Sequence, residues 1–339
     1  MAVRVAINGF GRIGRTMLRC WMEHNSEFED VEIVGLNHRS GPEEMAYYLK
    51  YDSIHRKAPF DVEADPENLI LNGKKIPMFV NEDPAQIPWK QLDVDIVLES
   101  TGRFTKKADA MKHVEAGARY VIISAPSESA DLTIVMGVNE EDFDPKTDII
   151  VSNASCTTNC IAPATKVMHK IFGIEHLLAT TVHAYTSTQN TLDHAKKGVG
   201  RRSRAAAVSL IPTTTGAARA MIPLFPDLNG KMAMSAIRVP TVNGSLTDVG
   251  YLLKKSVTVE EVNETLKKAA EGPLKGILEY SEDELVSVDI IGNPHSCIVD
   301  GLSTKVVDGR LVGLMLWYDN EYGYSKRMLD LAAYMGGKI

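Results

Sequence analysis

Val3-Arg4-Val5-Ala6-Ile7-Asn8-Gly9-Phe10-Gly11-Arg12-Ile13-Gly14 opens the chain with an apolar strand pattern that runs straight into three closely spaced glycines. A helix pattern through Met17, Leu18 and Trp21 follows. The G-x-G-x-x-G run therefore has a strand before it and a helix after it, the context that gives the motif meaning. Gly9 permits the tight turn, Gly11 lets the backbone approach a pyrophosphate, and Gly14 lets helix and strand pack closely. The competing reading is a tight strand-to-helix turn with no ligand, and the position at the start of the chain favours a dinucleotide.

Working outward, a second strand pattern over Val31–Leu36 ends at Asn37-His38-Arg39-Ser40. NAD-binding units usually place an acidic residue at such a strand end, where it takes a ribose hydroxyl. None stands here. His38 and Arg39 would instead tolerate or attract a 2'-phosphate, because a carboxylate would repel it and a guanidinium can hold it bidentately. A solvated Arg39, with the ribose held otherwise, is an equal alternative. Helical spacing covers Glu43–Lys50, a meander surrounds Leu69–Leu71 and Ile76–Val80, and strands over Val94–Glu99 and Tyr120–Ser124 end in small hydroxyl residues. Strands alternating with helices imply a doubly wound parallel sheet, which binds ligands at its carboxyl ends.

The second centre of the sequence is Ser152-Asn153-Ala154-Ser155-Cys156-Thr157-Thr158-Asn159-Cys160, between a short strand pattern at Asp148–Val151 and helical spacing over Thr158–Phe172. A thiol in a helix's first turn meets unpaired N–H groups and the positive end of the dipole, so a lowered thiol pKa is expected and Cys156 is a candidate nucleophile. An isolated Cys is more often a small buried hydrophobe, but the polar neighbours argue against burial here. Cys160, one turn on, is either a redox partner or a packing residue. His183 sits in an apolar strand pattern, Leu177–Ala184, where a structural role is the default; a reactive thiol, however, needs a base.

Ser187–Ser209 is long, polar and basic, with Lys196, Lys197, Arg201, Arg202 and Arg204. It lacks the aromatic interleaving of a nucleic-acid patch, so subunit contacts or phosphate attraction rank above RNA binding. Leu210–Arg219 resembles a helix start with free hydroxyls and amides, an anion site or a simple cap. Arg238 lies within an apolar strand, Met232–Pro240, and demands an anionic partner. Strands over Ser245–Leu253, Leu285–Ile291, Ser296–Val299 and Leu311–Tyr318, with a helix over Val259–Ala270, describe an α+β domain with a mostly antiparallel sheet. The last helix, Gly323 to Met335, is expected to pack on the first domain.

The 339 residues suggest two domains, and charged and hydrophobic fractions of 24% and 44% are ordinary for a globular protein. A net charge of -7 argues against a general nucleic-acid or acidic-membrane surface. The N-terminus enters a strand without a signal peptide and no apolar run approaches a membrane span, so a cytoplasmic location is expected. Four cysteines make no disulfide framework, and no Cys/His cluster has metal-ligand spacing.

Taken together, the stretches from Ile7-Asn8-Gly9-Phe10-Gly11-Arg12-Ile13-Gly14-Arg15 to Trp317-Tyr318-Asp319-Asn320-Glu321, with Ser152–Cys160 the most specific of them, resemble the phosphorylating glyceraldehyde-3-phosphate dehydrogenases over essentially the whole chain. The expected fold is α/β: a Rossmann-type dinucleotide-binding domain over 1–151 plus 319–339, and an α+β catalytic domain over 152–318. The resemblance implies Cys156 as nucleophile and His183 as its base. It further implies that Ser155, Thr157, Thr215 and Gly216 bind the attacking phosphate, and that Thr186 and Arg238 bind the substrate phosphate. Arg12, Ile13, Ser124 and Asn320 then contact the cofactor, Asn320 by orienting the nicotinamide. The implied reaction converts glyceraldehyde 3-phosphate, phosphate and NAD(P)+ reversibly to 1,3-bisphosphoglycerate, in glycolysis or gluconeogenesis. A homotetramer is implied too, its 187–209 loop reaching a neighbour's cofactor.

Departures from the family pattern bear on the cofactor. NAD-preferring members usually have Asp where this chain has His38 and Leu-Pro where it has His194-Ala195; Glu82 replaces an Arg. The first two remove what repels or crowds a 2'-phosphate, so use of NADP is expected alongside NAD, with Arg39, Ser40 and His194 near the extra phosphate. The loop also gains a residue near Gly198-Val199-Gly200. Within the family the rival is erythrose-4-phosphate dehydrogenase, which releases a free acid using water; the intact His183-Ala184-Tyr185-Thr186 ranks it lower. Outside it, a disulfide oxidoreductase would need neither the anion sites nor the dinucleotide loop.

Overall fold

In a computed structural model, residues 2–195, 198 and 200–339 are described; Lys196, Lys197 and Val199, which the basic-loop reading included, lie outside them. The chain divides into two compact units, 1–154 with 325–339 and 155–324. Both seams fall a few residues later than 151/152 and 318/319. Ser152 still pairs with Ile123 in the first unit's sheet, while Asp319 is tied into the second unit by Asn243 Nδ2 and the Gly292 N–H, each at 2.8 Å.

The first unit is built on a nine-stranded sheet. Its order is Leu132–Thr133, Ile150–Ser152, Tyr120–Ile123, Ile96–Glu99, Val3–Asn8, Val31–Asn37, Lys74–Phe79, Asn68–Leu71 and Val62–Ala64. The first seven strands run parallel and the last two form the meander. Parallel strands buried on both faces read as continuous apolar runs, and Ile96–Glu99 and Tyr120–Ile123 are buried at every position. Ala6, Val97, Val121 and Ile150 of the sheet pack with Trp89 and with Ala110 of the helix Lys107–Glu115. The C-terminal helix Tyr322–Gly336 joins this unit from residue 325: Lys326 pairs with Glu27 at 2.9 Å and lies over the Phe28 ring.

The second unit carries a seven-stranded sheet ordered Ile211–Thr214, Met232–Val239, Ile174–Ala184, Ser245–Leu253, Leu311–Tyr318, Cys297–Val307 and Leu278–Ser281. Four pairings are antiparallel and two parallel, one of which sets Ile174–Ala184 beside Met232–Val239. The helices Cys156–Phe172 and Val259–Glu271 pack on this sheet. Leu178, Leu302, Val307 and Leu311 are exposed, and Leu178 and Leu311 line a cleft of about 550 Å³.

One expectation fails here, and another is met in a shortened form. Leu285–Ile291 forms turns rather than a strand, and the strand lies earlier, at Leu278–Ser281. Val286 and Val288 are exposed and only Ile290 is buried, so the alternation that suggested a strand presents no continuous face to a core. Leu210–Arg219 makes an edge strand, Ile211–Thr214, and a helix of only five residues, Ala217–Met221, too short to carry much dipole at its start. Among the described residues no helix is long and apolar enough to cross a membrane.

Candidate active site

In the first unit the glycine loop fits a dinucleotide. Gly9 has φ +94°, and a Cβ there would stand 2.5 Å from the Thr101 backbone nitrogen; one at Gly14 would stand 2.3 Å from the Gly9 carbonyl. Gly11 differs: a Cβ there would meet nothing within 4 Å, so its backbone faces open space. The helix Arg12–Glu23 begins immediately after it with no side-chain cap, leaving its first turn, with Arg12, Ile13 and Gly14, available to an anion. Arg12 pairs with Asp52.

A fully buried polar chain braces the strand ends around this loop. Trp89 Nε1–H donates to His113 Nδ1 at 3.0 Å, and His113 Nε2 lies 3.0 Å from Glu99 Oε2. The other Glu99 oxygen accepts from the backbone N–H of Thr101 at 2.8 Å and from its hydroxyl. Asn8 Nδ2 reaches the same carboxylate at 2.5 Å and Asn37 Nδ2 donates to Asn8 Oδ1 at 2.8 Å. The sequence reading missed this chain, because its members are scattered from 8 to 113.

At the end of the second strand His38 is half-buried and Arg39 exposed. Burial pushes the His38 pKa down, and the charges of Arg15 and Arg39 push it further, against Glu44. Ser124 follows the strand Tyr120–Ile123, at the carboxyl end of the sheet.

In the second unit Ser155 caps the helix Cys156–Phe172, its hydroxyl accepting from the Thr158 N–H at 3.1 Å. Cys156 is thus the first helical residue, partly exposed, with Sγ 3.4 Å from His183 Nε2. The lowered thiol pKa is not what the site produces. Burial raises it, exceeding the opposing pull of Arg238 and of N–H and hydroxyl donors at the helix start. His183 is 4% exposed, and burial together with Arg238 brings its pKa down to about 3, so the imidazole is neutral at pH 7. His183 and Arg238 are register partners on adjacent parallel strands. Arg238 Nη1 stands 2.7 Å from His183 Nδ1 and donates to the Ala184 carbonyl at 2.9 Å.

Other expected residues gather in the same unit with their hydroxyls already engaged. Thr157 is buried with Oγ1 3.0 Å from the Tyr318 hydroxyl. Thr186 lies in the turn after its strand, bonded to Thr188 and Gln189. Thr215 Oγ1 accepts from the Ala217 N–H at 3.2 Å, with Gly216 between them at the helix cap. Asn320 is buried and accepts from Ser245 Oγ at 2.7 Å, which fixes the direction its amide faces. Of the expected cofactor contacts, Asn320 and His194 fall in this unit.

Tyr318 and Ser245 were not legible in the sequence. The Tyr318 ring stands edge-on to His183 at 5.9 Å, and its hydroxyl also meets Thr181 Oγ1 at 2.7 Å. Ser245 Oγ accepts from the Ala184 N–H at 3.1 Å. In the basic loop, Arg202 donates to Thr213 Oγ1 at 2.7 Å, and with Arg201 and Thr214 it lines a cleft of about 350 Å³. Arg204 pairs instead with Asp193. Cys160 is wholly buried, with Sγ 3.8 Å from the Leu316 carbonyl, a packing position.

A dinucleotide-binding Rossmann unit on the same chain as a thiol–imidazole pair defines a dinucleotide-dependent oxidoreductase. Family models agree in both halves: residues 3–107 match the NAD binding domain of glyceraldehyde 3-phosphate dehydrogenase and residues 155–320 its C-terminal domain. The chain is 53% identical over 338 residues to glyceraldehyde-3-phosphate dehydrogenase of Geobacillus stearothermophilus, covering 100% of this chain and 99% of the relative. It is 52% identical to glyceraldehyde-3-phosphate dehydrogenase 1 of Bacillus subtilis over the same shares. Against glyceraldehyde-3-phosphate dehydrogenase 2 of Streptomyces avermitilis the figure is 49%, with both chains covered completely. The chain belongs to the glyceraldehyde-3-phosphate dehydrogenase family.

Proposed function

We propose that this protein oxidises glyceraldehyde 3-phosphate with inorganic phosphate to 1,3-bisphosphoglycerate, reversibly, through a thioester on Cys156. The observation that carries the reading is the 3.4 Å contact between Cys156 Sγ and His183 Nε2, with Arg238 beside it.

Cys156 gives its proton to His183 and attacks the aldehyde carbon, forming a thiohemiacetal. The new oxyanion lies at the first turn of the helix, where the Cys156 N–H stabilises it and the protonated His183 passes it the proton taken from the thiol, making a hydroxyl. His183 then takes the hydroxyl proton back, which drives the carbon's hydride out and leaves a thioester. A nicotinamide dinucleotide would be held on the first unit by Gly9, Gly11, Arg12, Ile13, Gly14 and Ser124, and when bound it would supply the hydride acceptor, with Asn320 the residue that would orient its nicotinamide. A phosphate oxygen attacks the thioester carbon and expels the Cys156 thiolate. Ser155, Thr157, Thr215 and Gly216 hold that phosphate, while Thr186 and Arg238 hold the substrate's own.

NADP is accepted beside NAD. His38 and Arg39 stand where a ribose-binding carboxylate would repel a 2'-phosphate, and Arg15 adds positive charge nearby. His194 is the further contact. The active form is a homotetramer, supported by the exposed apolar face carrying Leu178 and Leu311. The absence of any disulfide among the four cysteines fits a reducing cytoplasm.

Initial rates with glyceraldehyde 3-phosphate and erythrose 4-phosphate, with and without inorganic phosphate, test the reading. It requires the triose phosphate to be the better substrate and turnover to depend on phosphate. Phosphate-independent turnover of the tetrose would identify an erythrose-4-phosphate dehydrogenase instead.

A further inference from the structure

The glycine loop and the end of the second strand meet at one corner of the first unit. Val3–Asn8 and Val31–Asn37 are neighbouring parallel strands, and just past them the Gly9 N–H donates to the Asn37 carbonyl at 2.9 Å. The His38 N–H donates to the Phe79 carbonyl at 3.1 Å, which fixes the chain as it leaves the second strand. Into this corner comes Arg15 from the helix Arg12–Glu23, its Nη1 donating to the Phe10 carbonyl at 3.2 Å. The same guanidinium lies over the Tyr48 ring, with Cζ 5.7 Å from the centroid. Tyr48 is carried by the helix Pro42–Lys50, and its ring meets that of Tyr47 edge-on at 5.4 Å.

A guanidinium meets a ring with its face and a phosphate with its N–H edge, so stacking on Tyr48 does not compete with holding an anion. We propose that Arg15, held in place by Tyr48, is the cation that recognises the 2'-phosphate of NADP, with His38 and Arg39 completing the cradle. Tyr48 is then a positioning residue for cofactor selection.

Two further observations fit. Arg39 is exposed, and among the described residues no hydrogen bond, ion pair or ring holds it. Binding an anion therefore costs Arg39 side-chain freedom that Arg15 has already given up. Burial apart, the charge of Arg15 is also the strongest pull on His38, ahead of that of Arg39, and Glu44, one turn before Tyr48, opposes both. The inference rests on the reading that NADP is accepted, and it moves the discrimination from the exposed Arg39 to the helix that follows the glycine loop.

Isothermal titration of the full-length, dinucleotide-free protein at low ionic strength with adenosine 2',5'-bisphosphate and with 5'-AMP tests it. The two probes share the adenosine and the 5'-phosphate, so damage to the glycine loop moves both affinities together, whereas a lost 2'-phosphate contact moves their ratio. The wild type should bind the bisphosphate about tenfold tighter, the scale of one charge-assisted contact. Tyr48→Leu should cut that preference about threefold, the scale of one exposed cation–ring contact, and leave 5'-AMP binding unchanged. Tyr48→Phe, which keeps the ring, should retain the preference, and Arg15→Met should remove most of it. No preference in the wild type would remove the NADP reading and this inference with it. A wild-type preference that survives Tyr48→Leu or Arg15→Met unchanged would overturn the inference alone and leave the 2'-phosphate to His38 and Arg39. Equal losses for both probes, or a loss in Tyr48→Phe as large as in Tyr48→Leu, would overturn it as well.

Discussion

Cys156 Sγ lies 3.4 Å from His183 Nε2, a contact that joins the first residue of a helix to the end of a strand 27 residues on. If His183 is the base, His183→Asn should lower kcat about 10²- to 10⁴-fold, the usual range for a lost general base, with KM moving far less. Steady-state kinetics with both substrates saturating checks this; an unchanged kcat removes His183 from the chemistry.

The same residue gives the fold an acid-sensitive term. The ordinary His pKa is 6.5, and burial with Arg238 lowers it to about 3 in the folded state. Above the unfolded value both states hold a neutral ring and the term is absent. Below it only the unfolded chain binds the proton, so stability falls as pH falls toward 3, by at most about 1.4 kcal/mol per unit. Urea unfolding between pH 7 and 5 should show a shallower loss in His183→Asn than in the wild type, and equal slopes would contradict the account.

Trp89, His113, Glu99 and Asn8 stake the cofactor loop on one buried chain of hydrogen bonds. His113→Phe strands the Trp89 N–H and takes one donor from the buried Glu99 carboxylate, which keeps those of Asn8 and Thr101, so a loss of about 3 kcal/mol is expected. Trp89→Phe removes one donor from a neutral acceptor and should cost about 1–3 kcal/mol. Calorimetry gives both values. Because Glu99 also holds Thr101, which abuts Gly9, a folded His113→Phe variant should bind dinucleotide more weakly, as isothermal titration would show.

His38→Asp restores a carboxylate at the second strand's end. The ratio of kcat/KM for NADP to that for NAD should fall about tenfold or more, the 1.4 kcal/mol scale of one like-charge contact. In the wild type the ratio should rise as pH drops through and below the ordinary His range, since His38 titrates lower than usual and its proton adds charge facing the 2'-phosphate. A ratio insensitive to His38→Asp would place the adenosine ribose elsewhere.

The fold was legible where the chain's own periodicity meets a buried surface. Val3–Asn8, Ser245–Leu253 and Leu311–Tyr318 match the sequence reading residue for residue, because each carries an unbroken pattern facing a core. Leu285–Ile291 misled because Val286 and Val288 of its alternation are exposed and only Ile290 is buried. Cys156 and His183 were legible as a reactive type beside a basic type, and the structure brings them together. The direction of the thiol shift was not, since the helix-start effect is visible in sequence whereas burial is a property of the packed site. Tyr318 and Ser245 were invisible for a related reason: each acts through partners more than fifty residues away.

The central claim is an acyl group on Cys156 that phosphate removes. Enzyme mixed with NAD+ and glyceraldehyde 3-phosphate without inorganic phosphate, quenched in acid and analysed by peptide mass spectrometry, should carry a 3-phosphoglyceroyl adduct on the peptide containing Cys156. Tandem fragmentation should place it on Cys156 rather than Cys160, and phosphate added before the quench should abolish it. Cofactor reduction without any adduct, or an adduct on Cys160, would contradict the account.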